Sequence, residues 1–214
     1  MVNFVKDRNL IQDVFDYQVI LVPMSINNSM NRGFKYEIGL NFPYVKNEQQ
    51  KSPYGDRRKY GTIFPVECEG IVFCLCYMYS TPYIKKYETD FVQYESLEKC
   101  LKSVRDKYKN KNIASVVMGV SEFDGSGDKD KILSIYNKVF VDKDITLYDY
   151  EQVDYKTKMF REIAALHKKI KEKTVTPAEY IKERSKIEWR RRYGIFKEMP
   201  ENYKYIPRQG EITK

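Results

Sequence analysis

Apolar positions run in two different rhythms along the chain. Up to about residue 150 they come in short unbroken runs separated by polar or glycine-rich stretches; beyond it they recur at helical spacing among lysines. Tyr17 to Val22 is too apolar for a strand with one wet face and predicts a central buried strand ending at Pro23. The Asn-rich stretch Ser25 to Gly33 reads as a loop, and Phe34 to Leu40 predicts a short helix closing before Pro43. Residues 44–60 hold Lys46, Asn47, Gln49, Gln50, Ser52, Pro53, Gly55 and Asp56 and read as a long exposed loop. Thr62 to Glu67 and Ile71 to Tyr79 are β-branched and aromatic runs around Cys68-Glu69-Gly70, the pattern of a hairpin.

Leu97, Cys100, Leu101, Val104 and Tyr108 then mark one face of an amphipathic helix. Ala114 to Val120 predicts a second buried strand. A glycine-rich stretch from Gly119 to Lys131 opens a helix that carries Ile132, Ile135, Val139 and Phe140 on one face, and Ile145 to Tyr150 predicts the last strand. This order predicts an α/β fold over residues 1–150. After it, Met159, Ile163, Leu166 and Ile170 are spaced four, three and four apart, an apolar stripe that predicts a helix packed on the body. Thr176-Pro177-Ala178-Glu179 is an N-cap, a proline at the first helical position and a capping-box glutamate, so a second helix should run to about Arg192 with Ala178, Ile181 and Trp189 as a weaker stripe.

Charge sharpens this division. Residues 151–214 carry 17 Lys and Arg against 10 Asp and Glu, so most of the net charge of +8 lies in the extension and the body is nearly neutral. Such asymmetry fits an acidic partner, nucleic acid included, through Arg190-Arg191-Arg192, but a solvated lysine-rich helix face gives the same number and is the favoured reading. No apolar run is long enough to span a bilayer, and the first residues do not form a secretory leader, so neither secretion nor membrane insertion is expected. Cys68, Cys74, Cys76 and Cys100 contain no C-x-x-C pair and there is one histidine, His167, so the cysteines read as reduced thiols and no metal site is expected.

Candidate chemistry sits in the two loops that follow buried strands, where open α/β sheets bind ligands. Gly119, Gly125 and Gly127 permit backbone conformations in which successive amides converge on an anion, helped by the start of the next helix. Glycines of this kind also make ordinary turns.

The stretch Asn28-Ser29-Met30-Asn31-Arg32-Gly33-Phe34, followed by a short helix and Asn41-Phe42-Pro43, resembles the first phosphate loop of the macro domains. Tyr94 to Leu101, Val116-Val117-Met118 and Gly125-Ser126-Gly127-Asp128 resemble that family's helix, strand and second phosphate loop, in order, and Asp7-Arg8-Asn9-Leu10-Ile11 is similar to its opening motif. The resemblance covers about residues 7–150 and implies a three-layer α/β fold with a mixed central sheet that binds ADP-ribose or a derivative, without a cofactor. By it, Asn9 meets the adenine edge, Asn27 or Asn28 the distal ribose, and Met30, Asn31, Arg32, Gly33, Phe34, Gly119, Gly125, Ser126 and Gly127 wrap the diphosphate; Tyr148 or Tyr150 stacks on adenine. The sequence departs from the family where Asn31 replaces the usual glycine and where Ser121 to Asp124 lengthen the second loop.

Within that family the chain is most similar to the terminal ADP-ribose glycohydrolases and the DNA ADP-ribosyl glycohydrolase antitoxins, which pair a lysine with an aspartate. Counting back from Tyr94 places the lysine at Lys85 and the aspartate at Asp128, whereas counting forward from the strand reaches Tyr77 or Met78. The resemblance therefore implies either a hydrolase that removes ADP-ribose from nucleic acid or protein, or a binder that reads such modifications or sequesters an ADP-ribose-derived signal. Its expected setting is the cytoplasm of a bacterium or a phage-infected host.

Overall fold

The computed structural model describes residues 1–6, 8–79, 92–121, 125–149 and 155–207, with side chains in the last range from Met159 onward. The chain divides into two compact units, Met1–Gln152 and Val153–Lys214. In the first, β1 (Val2–Val5), β2 (Val19–Ser25), α1 (Gly33–Asn41), α2 (Pro43–Gln50), β3 (Ile63–Cys68), β4 (Ile71–Tyr79), α3 (Tyr94–Lys107), β5 (Ile113–Val116), α4 (Lys129–Val139) and β6 (Ile145–Tyr148) follow one another.

The strands form one mixed sheet in the order β1-β6-β5-β2-β4-β3, parallel except for the antiparallel pair β3 and β4. Every residue of β2 is buried, so both sheet faces are covered there; α1 packs on α2, and α3 on α4. Full burial of an aliphatic side chain contributes about 1.5–3 kcal/mol. Val19, Ile20, Leu21 and Val22 are all fully buried, which is why this unbroken apolar run takes the centre of the sheet. The hairpin turn is the two-residue Glu69-Gly70, both at positive φ (52° and 78°), the geometry that matches strand twist.

Several sequence expectations need correction. Residues 44–60 are not one exposed loop: Pro43 opens α2, where a proline costs nothing because the first helical amide has no partner, and Val45 and Gln49 are buried one turn apart. β2 does not stop at Pro23 but continues to Ser25. β5 ends at Val116, short of Val120. The first residues form β1, an edge strand parallel to β6, which too few apolar positions announce.

The second unit contains α5 (Tyr155–Lys171) and α6 (Pro177–Tyr193). The capping box is present: the Glu179 amide donates to Thr176 Oγ1 (3.2 Å) and the Thr176 amide to Glu179 Oε2 (2.8 Å). The α5 stripe finds cover within its own unit, since Met159 and Leu166 are buried with Tyr180 and Ile187 of α6, and Ile163, Ile170, Ile181 and Tyr205 pack around them. Ala178 is exposed and takes no part; Tyr180 and Ile187 form the stripe with Trp189, whose Nε1 donates to the Lys197 carbonyl (2.8 Å).

Candidate functional site

The site begins with a missing hydrogen bond. The Val19 amide of β2 donates to the Asn112 carbonyl, on the β5 side. Strand amides alternate in direction with a period of two, so Leu21 and Pro23 face the same neighbour. Proline has no N–H to offer, and β2 pairs with β5 only from Val19 to Leu21. The Val116 carbonyl, which the register sets opposite Pro23, accepts instead from the hydroxyls of Ser115 (2.6 Å) and Tyr136 (3.5 Å). The two strands thus cease to pair beyond Leu21, and the loops that leave them cover residues 26–32 and, among the described residues, 117–121 and 125–128.

The first loop is anchored through Asn28, which sits at φ 55°, a conformation asparagine tolerates better than most residues. Its Nδ2 donates to the Ser52 carbonyl (2.6 Å), while its Oδ1 accepts from Ser52 Oγ (3.1 Å) and from Lys59 Nζ. Asn27 is half-buried, and its amide donates to Ser25 Oγ (3.2 Å). Met30 and Phe34 are buried, Asn31 and Arg32 exposed, and Gly33 opens α1 at φ 60°. Arg32 gives α1 no side-chain cap, so the positive end of the helix dipole faces the loop uncompensated by its N-cap side chain. Lys35 is buried with Nζ bonded to the Tyr79 hydroxyl.

The second loop is closed upon itself. The Ser126 amide donates to the Ser121 carbonyl (3.0 Å), that of Gly127 to the Gly119 carbonyl (2.7 Å), and that of Asp128 to the Tyr94 hydroxyl (3.0 Å). Its glycines are required by contact with Val92: a Cβ on Gly125 would lie 2.9 Å from the Val92 amide nitrogen, and one on Gly127 only 2.4 Å from Val92 Cγ1. On Gly119, at φ 91°, a Cβ would meet Met78 Cε at 2.9 Å. Asp128 is exposed and caps α4, its Oδ1 accepting from the Lys131 amide (2.8 Å). Lys85 and Tyr150 lie outside the described residues.

At the adenine end of the expected site, Asn9 donates from Nδ2 to the buried Glu37 (3.3 Å) and accepts from the Ile11 amide (3.0 Å). Tyr148 is core: its hydroxyl donates to Asp13 Oδ2 (2.8 Å), it stands edge-on to Tyr17, and burial, with Tyr17 and Asp13 adding to it, pushes its phenol far up. Sequence reasoning missed the polar group around Lys59, whose Nζ also lies 3.5 Å from Ser52 Oγ and 4.3 Å from the Tyr77 ring centre. Burial lowers its pKa, with Asp56 opposing. Nothing in the spacing of residues 44–60 marks this lysine; only its tertiary neighbours do. Burial raises the Cys74 thiol to about 12, so it is an inert packing group. In the second unit Arg190 and Arg191 pair with Glu162 (2.6 Å) and Glu188 (2.8 Å), and both Arg191 and Arg192 are exposed. Among the described residues no acidic, His or Cys cluster is placed to hold a metal, and no helix is long and apolar enough to cross a membrane.

No family model and no curated protein matches the chain. Solved structures do. The macrodomain of Thermus aquaticus DarG is similar over 70% of this chain and 98% of its own, with a TM-score of 0.55 at 14% identity. That of Mycobacterium tuberculosis DarG is similar over 69% and 97%, with a TM-score of 0.54 at 14% identity. The body has the macrodomain fold. Thermosipho africanus DarTG in complex with ADP-ribose is a further macrodomain-fold neighbour, with a TM-score of 0.55 at 14% identity over 68% of this chain and 41% of that one.

Proposed function

We propose that the body binds ADP-ribose, or a derivative of it, in the opening between the parted ends of β2 and β5. One observation carries this reading: β2 and β5 cease to pair beyond Leu21, where Pro23 offers no amide, in a macrodomain fold shared with Thermosipho africanus DarTG, whose structure contains ADP-ribose. Asn27, Gly33 and the start of α1 line the first rim, and Asn9 with Glu37 supplies paired polar groups for a base edge. Calorimetry with ADP-ribose, repeated with AMP, NAD and cyclic ADP-ribose isomers, tests it; absence of binding to every member of the panel refutes it.

Removal of ADP-ribose from a modified nucleic acid or protein, with Lys85 and Asp128 as the working pair, is the finer form of this proposal. On that form Lys85→Ala and Asp128→Asn each abolish release of ADP-ribose from modified substrate while binding persists. The alternative is a binder without chemistry, favoured by Asp128: it is exposed and one of its carboxylate oxygens is spent on the α4 cap. Wild-type protein inert on ADP-ribosylated DNA, RNA and protein, yet binding ADP-ribose, decides for the binder. Nucleic acid as the carrier of the modification would meet the extension at Arg192 and the lysines of α5, with binding that weakens as salt rises.

A further inference from the structure

Two buried side chains of the body lie beside the same tyrosine, one a cation with no carboxylate bonded to it among the described residues, the other an amide without a hydrogen bond. Lys59 is 8% exposed, and its ammonium contacts neutral groups, Asn28 Oδ1, Ser52 Oγ and the face of the Tyr77 ring, with Asp56 acting on it from further off. Among the described residues it forms no ion pair, and the nearby Asp56 carboxylate is gripped by Arg58 through Nε (3.0 Å) and Nη2 (2.8 Å). Gln49 is fully buried, and neither its amide nitrogen nor its oxygen has a hydrogen bond of good geometry; it lies near the Tyr77 hydroxyl, whose pKa burial raises with Ser52 and Gln49 opposing. The Tyr77 hydroxyl itself is shared with Ser52 Oγ at 2.9 Å.

A purely structural post would be built otherwise. A buried cation is ordinarily matched by a carboxylate, and an interior amide without partners is improved by an apolar side chain of the same size. Here both costs are retained within one cluster, next to the loop that leads from Asn28 into the positive end of α1. Retained costs of this kind mark positions kept for what they bind.

We infer that Asn28, Gln49, Ser52, Lys59 and Tyr77 form a subsite for a phosphoryl group, with Lys59 as the counter-charge and the Gln49 amide as a hydrogen-bond donor. The inference deepens the ADP-ribose proposal by assigning residues to the diphosphate, and rests on it for the identity of the ligand. A phosphate there would neutralise the buried ammonium and satisfy the amide together, which neither the adenine nor a neutral ribose can do.

The test measures affinity for ADP-ribose, for inorganic pyrophosphate and for adenosine, with thermal melting alongside, in the full chain and in Lys59→Met, Lys59→Arg and Gln49→Met. The expected result is loss of at least about tenfold in ADP-ribose and pyrophosphate affinity for Lys59→Met and Gln49→Met. Adenosine binding is unchanged and Lys59→Arg stays within about threefold of wild type. Gln49→Met, which removes an unsatisfied amide, melts at or above wild type, so it carries the test even where Lys59→Met fails to fold. Folded variants with unchanged affinity overturn the subsite and leave the ADP-ribose proposal standing. Wild-type protein that binds pyrophosphate in a Lys59-dependent way but not ADP-ribose overturns that proposal alone. Binding of neither overturns both.

Discussion

The two loops of the proposed site look alike as sequence, polar and glycine-bearing after a buried strand, yet they are built on opposite principles. The first, from Asn27 to Gly33, hangs on an asparagine at positive φ held by Ser52 and Lys59, and presents an uncapped helix start with an unpaired cation behind it. The second, from Gly119 to Asp128, ties its amides of Ser126, Gly127 and Asp128 to Ser121, Gly119 and Tyr94, and needs its glycines because Val92 leaves no room for a Cβ. A glycine can serve a bound anion or a neighbouring side chain, and only the neighbours tell which. In this protein the electrostatic investment is on the first loop and the steric one on the second.

The largest effect that would sharpen this contrast is at Gly127. A Cβ there meets Val92 Cγ1 at 2.4 Å, so Gly127→Ala is expected to cost about 1–3 kcal/mol of stability, as overpacking does. In a Val92→Ala background the same change should cost less by more than about 0.5 kcal/mol, since the clashing atom is gone. Denaturant unfolding of the four proteins measures the coupling. Full additivity would break the packing account and return the glycine to ligand binding.

A smaller effect belongs to Asp128. Asp128→Ala is expected to lose about 0.5–2 kcal/mol through the lost α4 cap, and Asp128→Asn only a few tenths, because asparagine caps as well. Equal losses in the two variants, read by thermal melting, would show that the carboxylate charge matters in its own right.

The smallest effect is at Lys59. Burial holds its pKa below the ordinary 10.5, so the unfolded chain binds this proton more tightly than the native one. Native stability from this group therefore rises as pH climbs through the lowered native value and levels off above 10.5. The difference in melting temperature between wild type and Lys59→Met, followed from about pH 8 to about pH 11, should narrow or reverse in that direction. A flat difference would mean that the ammonium is not desolvated.

How far the sequence reached follows from which forces are local. β2, the β3–β4 hairpin, α3, α4 and α6 were legible because burial on both faces, a Glu-Gly turn, a 3.6-residue stripe and a capping box are written in consecutive residues. α2 was not, because Pro43 was read as the end of one helix when it is the first residue of the next, and Val45 and Gln49 are too few to show a stripe. At the site, the order of loops was legible but not their inner wiring. That Asn28 spends its amide on Ser52, that Tyr148 is buried against Asp13, and that Lys59 lies under an asparagine 31 residues away are all outcomes of chain crossing. The apolar stripe of α5 was read correctly as needing cover, but α6 supplies it, a partner that spacing alone cannot name.

Pro23 carries a consequence for the thermodynamics of filling the cleft. A crevice between two strands is ordinarily under pressure to zip shut, because each free amide and carbonyl along its walls gains from meeting the other. Here the donor is deleted from the covalent structure of one wall, and the Val116 carbonyl on the other is already occupied by Ser115 and Tyr136 hydroxyls. On the binding proposal, a ligand entering there would divert no free energy of association into prising these strands apart.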